Sequence, residues 1–201
     1  TWPDGCAVEL GRPAAEAPKP GTTHIEAYEL LLRGRALQLR RGHGIVSALQ
    51  CFERAIELDS RYAEAWAWLS DSYRLLATYG GRPASEVMPR AKAASQQALS
   101  LHPGHSQALH TLAEVALQYD RDGDQAAALW DEVLRGDSRF VQARAERALW
   151  FLTAGRFSMS QALAEMRQTV TDEPLNAWAA GVHSFVLGFA DRHAEAVAEA
   201  E

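Results

Sequence analysis

The chain has 201 residues, 47% of them hydrophobic and 23% charged, which is enough apolar material for a continuous core and rules out a disordered chain. A formal net charge of -6 gives no global attraction to nucleic acid or anionic lipid, and no run reaches the roughly 18 apolar residues that a bilayer span needs. Two cysteines, Cys6 and Cys51, are too few for a disulfide-stapled secreted fold and point to a reducing, cytoplasmic setting, while a first residue Thr1 in place of Met points to a piece of a larger protein.

Residues 1–23 carry Pro3, Pro13, Pro18 and Pro20 among Gly and Ala, a composition that blocks regular helix and reads as a linker. From His24 onward apolar residues recur at spacings of three and four, and Gly and Pro fall mainly between the periodic segments. The rest of the chain is therefore expected to be nearly all helix. Four helices are expected to close on related phrases: Leu58-Asp59-Ser60, Leu101-His102-Pro103, Gly136-Asp137-Ser138 and Asp172-Glu173-Pro174. Their last residues lie 43, 35 and 36 apart, and a period in this range marks stacked helical hairpins. The expected units are 24–60, 61–103, 104–138, 139–174 and an incomplete 175–201.

In the first unit Leu30, Gly34 and Leu37 should pack on Ala48, Phe52 and Ala55. The second sets Trp66, Leu69, Ser70 and Tyr73 on one helix face, large groups around one small one, and answers with Ala91, Ala94 and Ala98 before His102-Pro103 stops the helix. Its surplus residues, Thr78 to Glu86 around Gly80, Gly81 and Pro83, are expected to form an extended turn. Ser85 would then cap the next helix, with Pro89 in its first turn. In the third unit Leu109, Leu112, Ala113 and Ala116 should meet Ala126, Trp130 and Val133. The fourth has Ala148 and Phe151, a turn at Gly155, then Ala162 and Met166. The fifth carries Ser184, Leu187 and Ala196 and should leave Trp178, Phe185, Val186 and Phe189 poorly covered.

The spacing of Trp66, Leu69, Ser70 and Tyr73, with Ser in a glycine slot, resembles the tetratricopeptide repeat superfamily, and the likeness extends over residues 24–201. Insertions of roughly nine, one and two residues reconcile the spacings with a unit of about 34. The phrases Glu26-Ala27-Tyr28-Glu29-Leu30-Leu31-Leu32-Arg33-Gly34-Arg35, Val87-Met88-Pro89-Arg90-Ala91-Lys92-Ala93-Ala94 and Gly155-Arg156-Phe157 are similar to repeat regions that follow serine/threonine kinase domains in some bacteria. Similar arrays follow adenylate cyclase or winged-helix domains. The resemblance implies an all-α fold, a right-handed α-solenoid of antiparallel helix pairs with about five repeats. It also implies a regulatory or scaffolding role within a larger signalling protein.

In such a stack the first helices line a concave face. By register, that face should show Tyr28, Leu31, Arg35 and Gln38, then Glu64, Ala67, Asp71 and Arg74, then Gln107, His110, Glu114 and Gln118. Ala145, Leu149 and Thr153 should follow, then Trp178 and Phe185. A groove acidic in its middle and apolar toward the carboxyl end suits an extended peptide or amphipathic helix with a basic segment. Clamps for a terminal carboxylate use paired Lys and Asn, whereas Asn176 is the only asparagine here and Asp71 and Glu114 stand in the way. Self-association through the last unit is the competing reading.

No catalytic residue, cofactor or metal site is expected, and neither nucleic acid nor membrane is an expected partner. Asp120, Asp122, Asp124 and Asp131 imitate calcium-loop spacing, but Gly123 is displaced and the following residues must be helical, so a polar turn with Asp124 as cap is preferred. His102, His105 and His110 straddle a proline turn without zinc-site spacing. Arg33, Arg35, Arg40 and Arg41 lack interleaved stacking aromatics and read as a solvated end-face beside His43.

Overall fold

A computed structural model describes residues 21–200; the linker reading for residues 1–20, with Cys6, lies outside the described residues. The described chain is a succession of five antiparallel helical hairpins. These are α1 (Ile25–Gln38) with α2 (His43–Leu58), α3 (Ala63–Tyr79) with α4 (Ala84–Leu101), α5 (Ser106–Val115) with α6 (Gly123–Gly136), α7 (Val141–Thr153) with α8 (Met159–Asp172), and α9 (Ala177–Phe189) with α10 (His193–Ala200). A single π-helical turn, Ala116–Asp120, extends α5. No strand occurs among the described residues.

The four related phrases build one turn four times. After α2, α4, α6 and α8 the next residue, Asp59, His102, Asp137 or Glu173, swings to φ between -142° and -133°. Its amide still donates to the carbonyl four residues back, in Ala55, Ala98, Val133 or Thr169. Three residues later the amides of Tyr62, His105, Phe140 and Asn176 donate to the carbonyls of those same swung residues. Asp59 and Asp137 tighten the bend by accepting from the amides of Arg61 and Arg139. Repeating one turn gives successive hairpins a similar start, which is what makes a solenoid.

Within a hairpin, small residues set the approach. A Cβ on Gly34 would lie 2.5 Å from Cε1 of Phe52, so glycine is what lets α1 and α2 close around that fully buried ring. Ser70 fills the equivalent slot in α3, buried, with its hydroxyl turned back to the Ala67 carbonyl at 2.7 Å. Gly123 opens α6, and a Cβ there would meet the Trp150 ring at 2.4 Å. The core is a series of clusters along the stack, around Phe52 and Tyr62, then Trp130, then Met166 and Val186.

Several expectations about boundaries are corrected. The surplus in the second unit does not form an extended turn: the link is only residues 80–83, and α3 and α4 are lengthened to 17 and 18 residues. Val87 and Met88, both 2% exposed, gain burial by being helical, and this draws the start of α4 forward to Ala84. Ser85 is consequently inside the first turn and caps nothing, and Pro89 sits in the second turn, where it cannot donate to the Ser85 carbonyl. The cap of α6 is Asp122, which accepts from the Gln125 amide at 2.9 Å, and not Asp124, which pairs with Arg156. In the last hairpin Val186 is fully buried, while Phe185 and Phe189 remain exposed.

Candidate functional site

Helices α1, α3, α5 and α7 present one face to a shared cavity of about 670 Å³, which Trp178 and Asn176 at the start of α9 close. Of the residues expected on the concave face, Arg35, Gln38, Asp71, Arg74, His110, Glu114, Gln118 and Trp178 line this cavity. Glu64, Gln107 and Phe185 do not. Glu64 accepts from Trp68 at 2.9 Å and meets His105 Nε2 at 2.7 Å, tying α3 to the turn before α5. Burial alone would raise the Glu64 carboxyl, but His105 and Trp68 hold it below its ordinary value. Gln107 is buried beside Thr111, and Phe185 stacks edge-on with Phe189 at 4.8 Å.

The cavity floor is a buried polar chain reaching across three helices. Gln38 Nε2 donates to Asp71 at 2.6 Å, and Arg74 grips the other oxygen of Asp71 through Nε at 3.0 Å and a terminal nitrogen at 2.7 Å. The same guanidinium reaches Glu114 at 3.7 Å, and Gln118 Nε2 donates to that carboxyl at 2.6 Å. Burial opposes the charge on Arg74, yet Asp71 and Glu114 outweigh it and hold the group firmly cationic. Burial first, and the charge of Glu146 second, push Glu114 up to about 8. Burial also raises Glu146. His110 is driven down to about 3 by burial and by the Arg74 charge, so its ring is neutral.

Three atoms of this floor lack a hydrogen-bond partner although they are buried: Gln38 Oε1, Glu114 Oε1 and His110 Nδ1. A buried polar atom without a partner costs about 1–3 kcal/mol. Three such atoms in residues that line one cavity are satisfied by a ligand that brings hydrogen-bonding groups.

Above the floor the walls are aromatic and cationic. Arg35 lies over the Trp68 ring at 4.7 Å, and Arg41 lies over the Tyr79 ring at 4.8 Å. The arginine cluster of α1 is thus divided: Arg35 and Arg41 line the cavity, whereas Arg33 and Arg40 are exposed outside it. Sequence reasoning missed Arg41, Tyr79, Gln142 and Glu146. Counted from the caps His105 and Phe140, Ala145 and Leu149 are the equivalents of His110 and Glu114. Ala145 is instead fully buried, and α7 offers the residues one turn earlier, Gln142 and Glu146. Rotation between successive hairpins turns a different stripe of α7 toward the groove. Leu31 and Ala67 are likewise core residues and not groove residues.

The aspartates of the false calcium spacing are engaged elsewhere: Asp120 with Lys92 at 2.7 Å, Asp122 as a cap and Asp131 with Arg147 at 2.8 Å. Among the described residues no group of His, Cys, Asp and Glu is arranged to hold a metal ion, and no helix is long and apolar enough to cross a membrane.

No family model matches the sequence, and no curated protein matches it. Solved structures do share the fold. TTC0263, a thermophilic TPR protein of Thermus thermophilus, superposes with a TM-score of 0.69 at 18% identity, over 86% of this chain and 87% of that one. MamA from Desulfovibrio magneticus RS-1, in a form beginning at residue 41, superposes at 0.52 and 15% identity, over 89% of this chain and 93% of that one. The turns, the small-residue contacts and these superpositions together establish an all-α solenoid with the fold of tetratricopeptide repeat proteins.

Proposed function

We propose that this chain is the protein-interaction module of a larger regulatory protein, of the bacterial signalling kind its repeats resemble, and that it captures an extended peptide in the concave groove. The observation that carries this reading is the 670 Å³ cavity itself, whose floor holds buried polar atoms without hydrogen-bond partners. A packed structural array gains nothing from such a floor, whereas a peptide supplies donors along its whole length. The groove has a polarity along the stack: Arg35 comes from α1 and Arg41 from just after it, and Glu114 and Glu146 from α5 and α7. A partner segment with its basic residues toward α7 fits that arrangement. The module is a binder and not a catalyst. The free, buried thiol of Cys51 agrees with a reducing cytoplasmic setting.

Peptides selected from a random display library test the reading. Gln142 is exposed and lines the cavity, so Gln142→Trp fills the groove without disturbing the floor. Selected peptides are expected to lose at least roughly tenfold in affinity for this variant. They should be indifferent to Glu57→Gln on α2, whose side chain pairs with Arg54 in solvent. Peptides that ignore Gln142→Trp would refute groove capture.

A second reading, self-association, rests on the exposed pair Phe185 and Phe189, stacked edge-on at the end of α9. Light scattering over a concentration series decides it, since a monomer at every concentration removes this reading.

A further inference from the structure

The acidic end of the groove contains an incomplete ion site. Glu114 is 1% exposed, and its two oxygens differ: Oε2 is held by Gln118 at 2.6 Å and approached by Arg74, while Oε1 is buried with no partner. Glu146, on the neighbouring first helix, lines the same cavity, and no hydrogen bond holds it among the described residues; Arg74 is the cation that bears on it. That single guanidinium is already committed to Asp71 through two hydrogen bonds. Two carboxyls therefore share the remainder of one cation.

The aromatic wall repeats this imbalance. Trp68 and Tyr79 each carry one of the chain's own arginines on a ring face, whereas Trp178, which lines the same cavity as Glu114 and Glu146, carries none among the described residues. An indole face and carboxylate oxygens lining one cavity favour a cationic side chain, since the ring quadrupole and the carboxylates attract the same charge. The free acceptors suit it as well. An ammonium offers three donors and a guanidinium five, which can serve Gln38 Oε1 and, once Glu114 ionises, its Oε1.

We infer that the pocket between Glu114, Glu146 and Trp178 is the anchor site for one cationic side chain, lysine or arginine, of the captured peptide. This rests on the groove reading and gives it a register: the anchor residue sits over α5 and α7, and the residues approaching Arg35 and Arg41 are neutral or acidic. Entry of the cation drives both carboxyls into their charged form, so capture strengthens as pH rises toward about 8, the value to which burial and Glu146 have pushed Glu114. The other charged or titratable groups lining this cavity are Arg35 of α1, Arg41 just after it, Asp71, Arg74 and Tyr79 of α3 and His110 of α5. His110 stays neutral over that range.

The test uses the full 201-residue chain and peptides selected as above whose binding is blocked by Gln142→Trp. Such peptides are expected to share a Lys or Arg at one fixed position. Glu146→Gln, at a half-buried site, should weaken them roughly tenfold, and so should replacing that peptide residue by norleucine. Combining the two changes should cost little more than either alone. Glu114→Gln should act in the same direction, and carboxyl carbon NMR should show the Glu114 midpoint falling by about one unit or more when n-butylguanidinium or n-butylammonium is added. Groove-dependent peptides with no common basic residue, or insensitive to Glu146→Gln, overturn the anchor site and leave groove capture standing. Peptides insensitive to Gln142→Trp overturn both.

Discussion

Burial of Glu114 under Gln118 and Arg74 costs the fold whenever that carboxyl ionises. Its folded value, about 8, lies above the ordinary 4.5, so between these values the native chain holds a proton that the unfolded chain has lost. Stability is then drained as pH rises from about 4.5 to about 8. His110 acts from the other side. Its folded value is about 3 against an ordinary 6.5, so the unfolded chain takes up the proton first and stability falls as pH drops through that window. Together the two groups place the stability maximum between pH 4.5 and 6.5. Urea midpoints across pH check this, and Glu114→Gln should flatten the alkaline limb while leaving the acid limb in place. A wild-type midpoint that does not fall on the alkaline side would contradict the burial of an ionisable Glu114.

Two helix substitutions are expected to change stability in directions that propensity and packing decide differently. Alanine is better than glycine in a helix by about 1 kcal/mol, yet a Cβ at position 34 would press into Phe52 at 2.5 Å, where overpacking costs about 1–3 kcal/mol. Packing wins, and Gly34→Ala should lose about 1 kcal/mol net in chemical denaturation. Pro89 is exposed in the second turn of α4, so Pro89→Ala restores a donor at no packing cost and should gain up to about 3 kcal/mol. At this scale the sequence was legible where spacing and chemistry coincide. The turn phrases after α2, α4, α6 and α8 announced themselves because Asp, His, Glu, Pro and Ser cluster there. The link between α3 and α4 was misread because Gly80, Gly81 and Pro83 signal a turn without saying how long it is, and the burial of Val87 and Met88 decided that.

For the whole molecule, the stacking of hairpins governs what function the surface can have. Part of the cavity lining could be read from register, since Gln38, Asp71, Arg74, His110 and Glu114 follow helical spacing from recognisable turns. Register failed at α7, because superhelical rotation accumulates along the stack and appears in no single repeat. Glu146 was therefore invisible until α5 and α7 were placed together. The same geometry leaves Phe185 and Phe189 outside the groove, where they bear on assembly and not on peptide capture. If self-association uses them, Phe185→Ser with Phe189→Ser should convert any dimer to monomer in light scattering without changing peptide affinity.

Amide and indole chemical-shift mapping of the labelled chain during titration with a display-selected peptide tests groove capture most directly. The largest changes should fall on Gln38, Asp71, Arg74, His110, Glu114 and the Trp178 indole, all of which line one cavity. Changes gathered on α2, α4 and α6, with those groove signals unmoved, would contradict it.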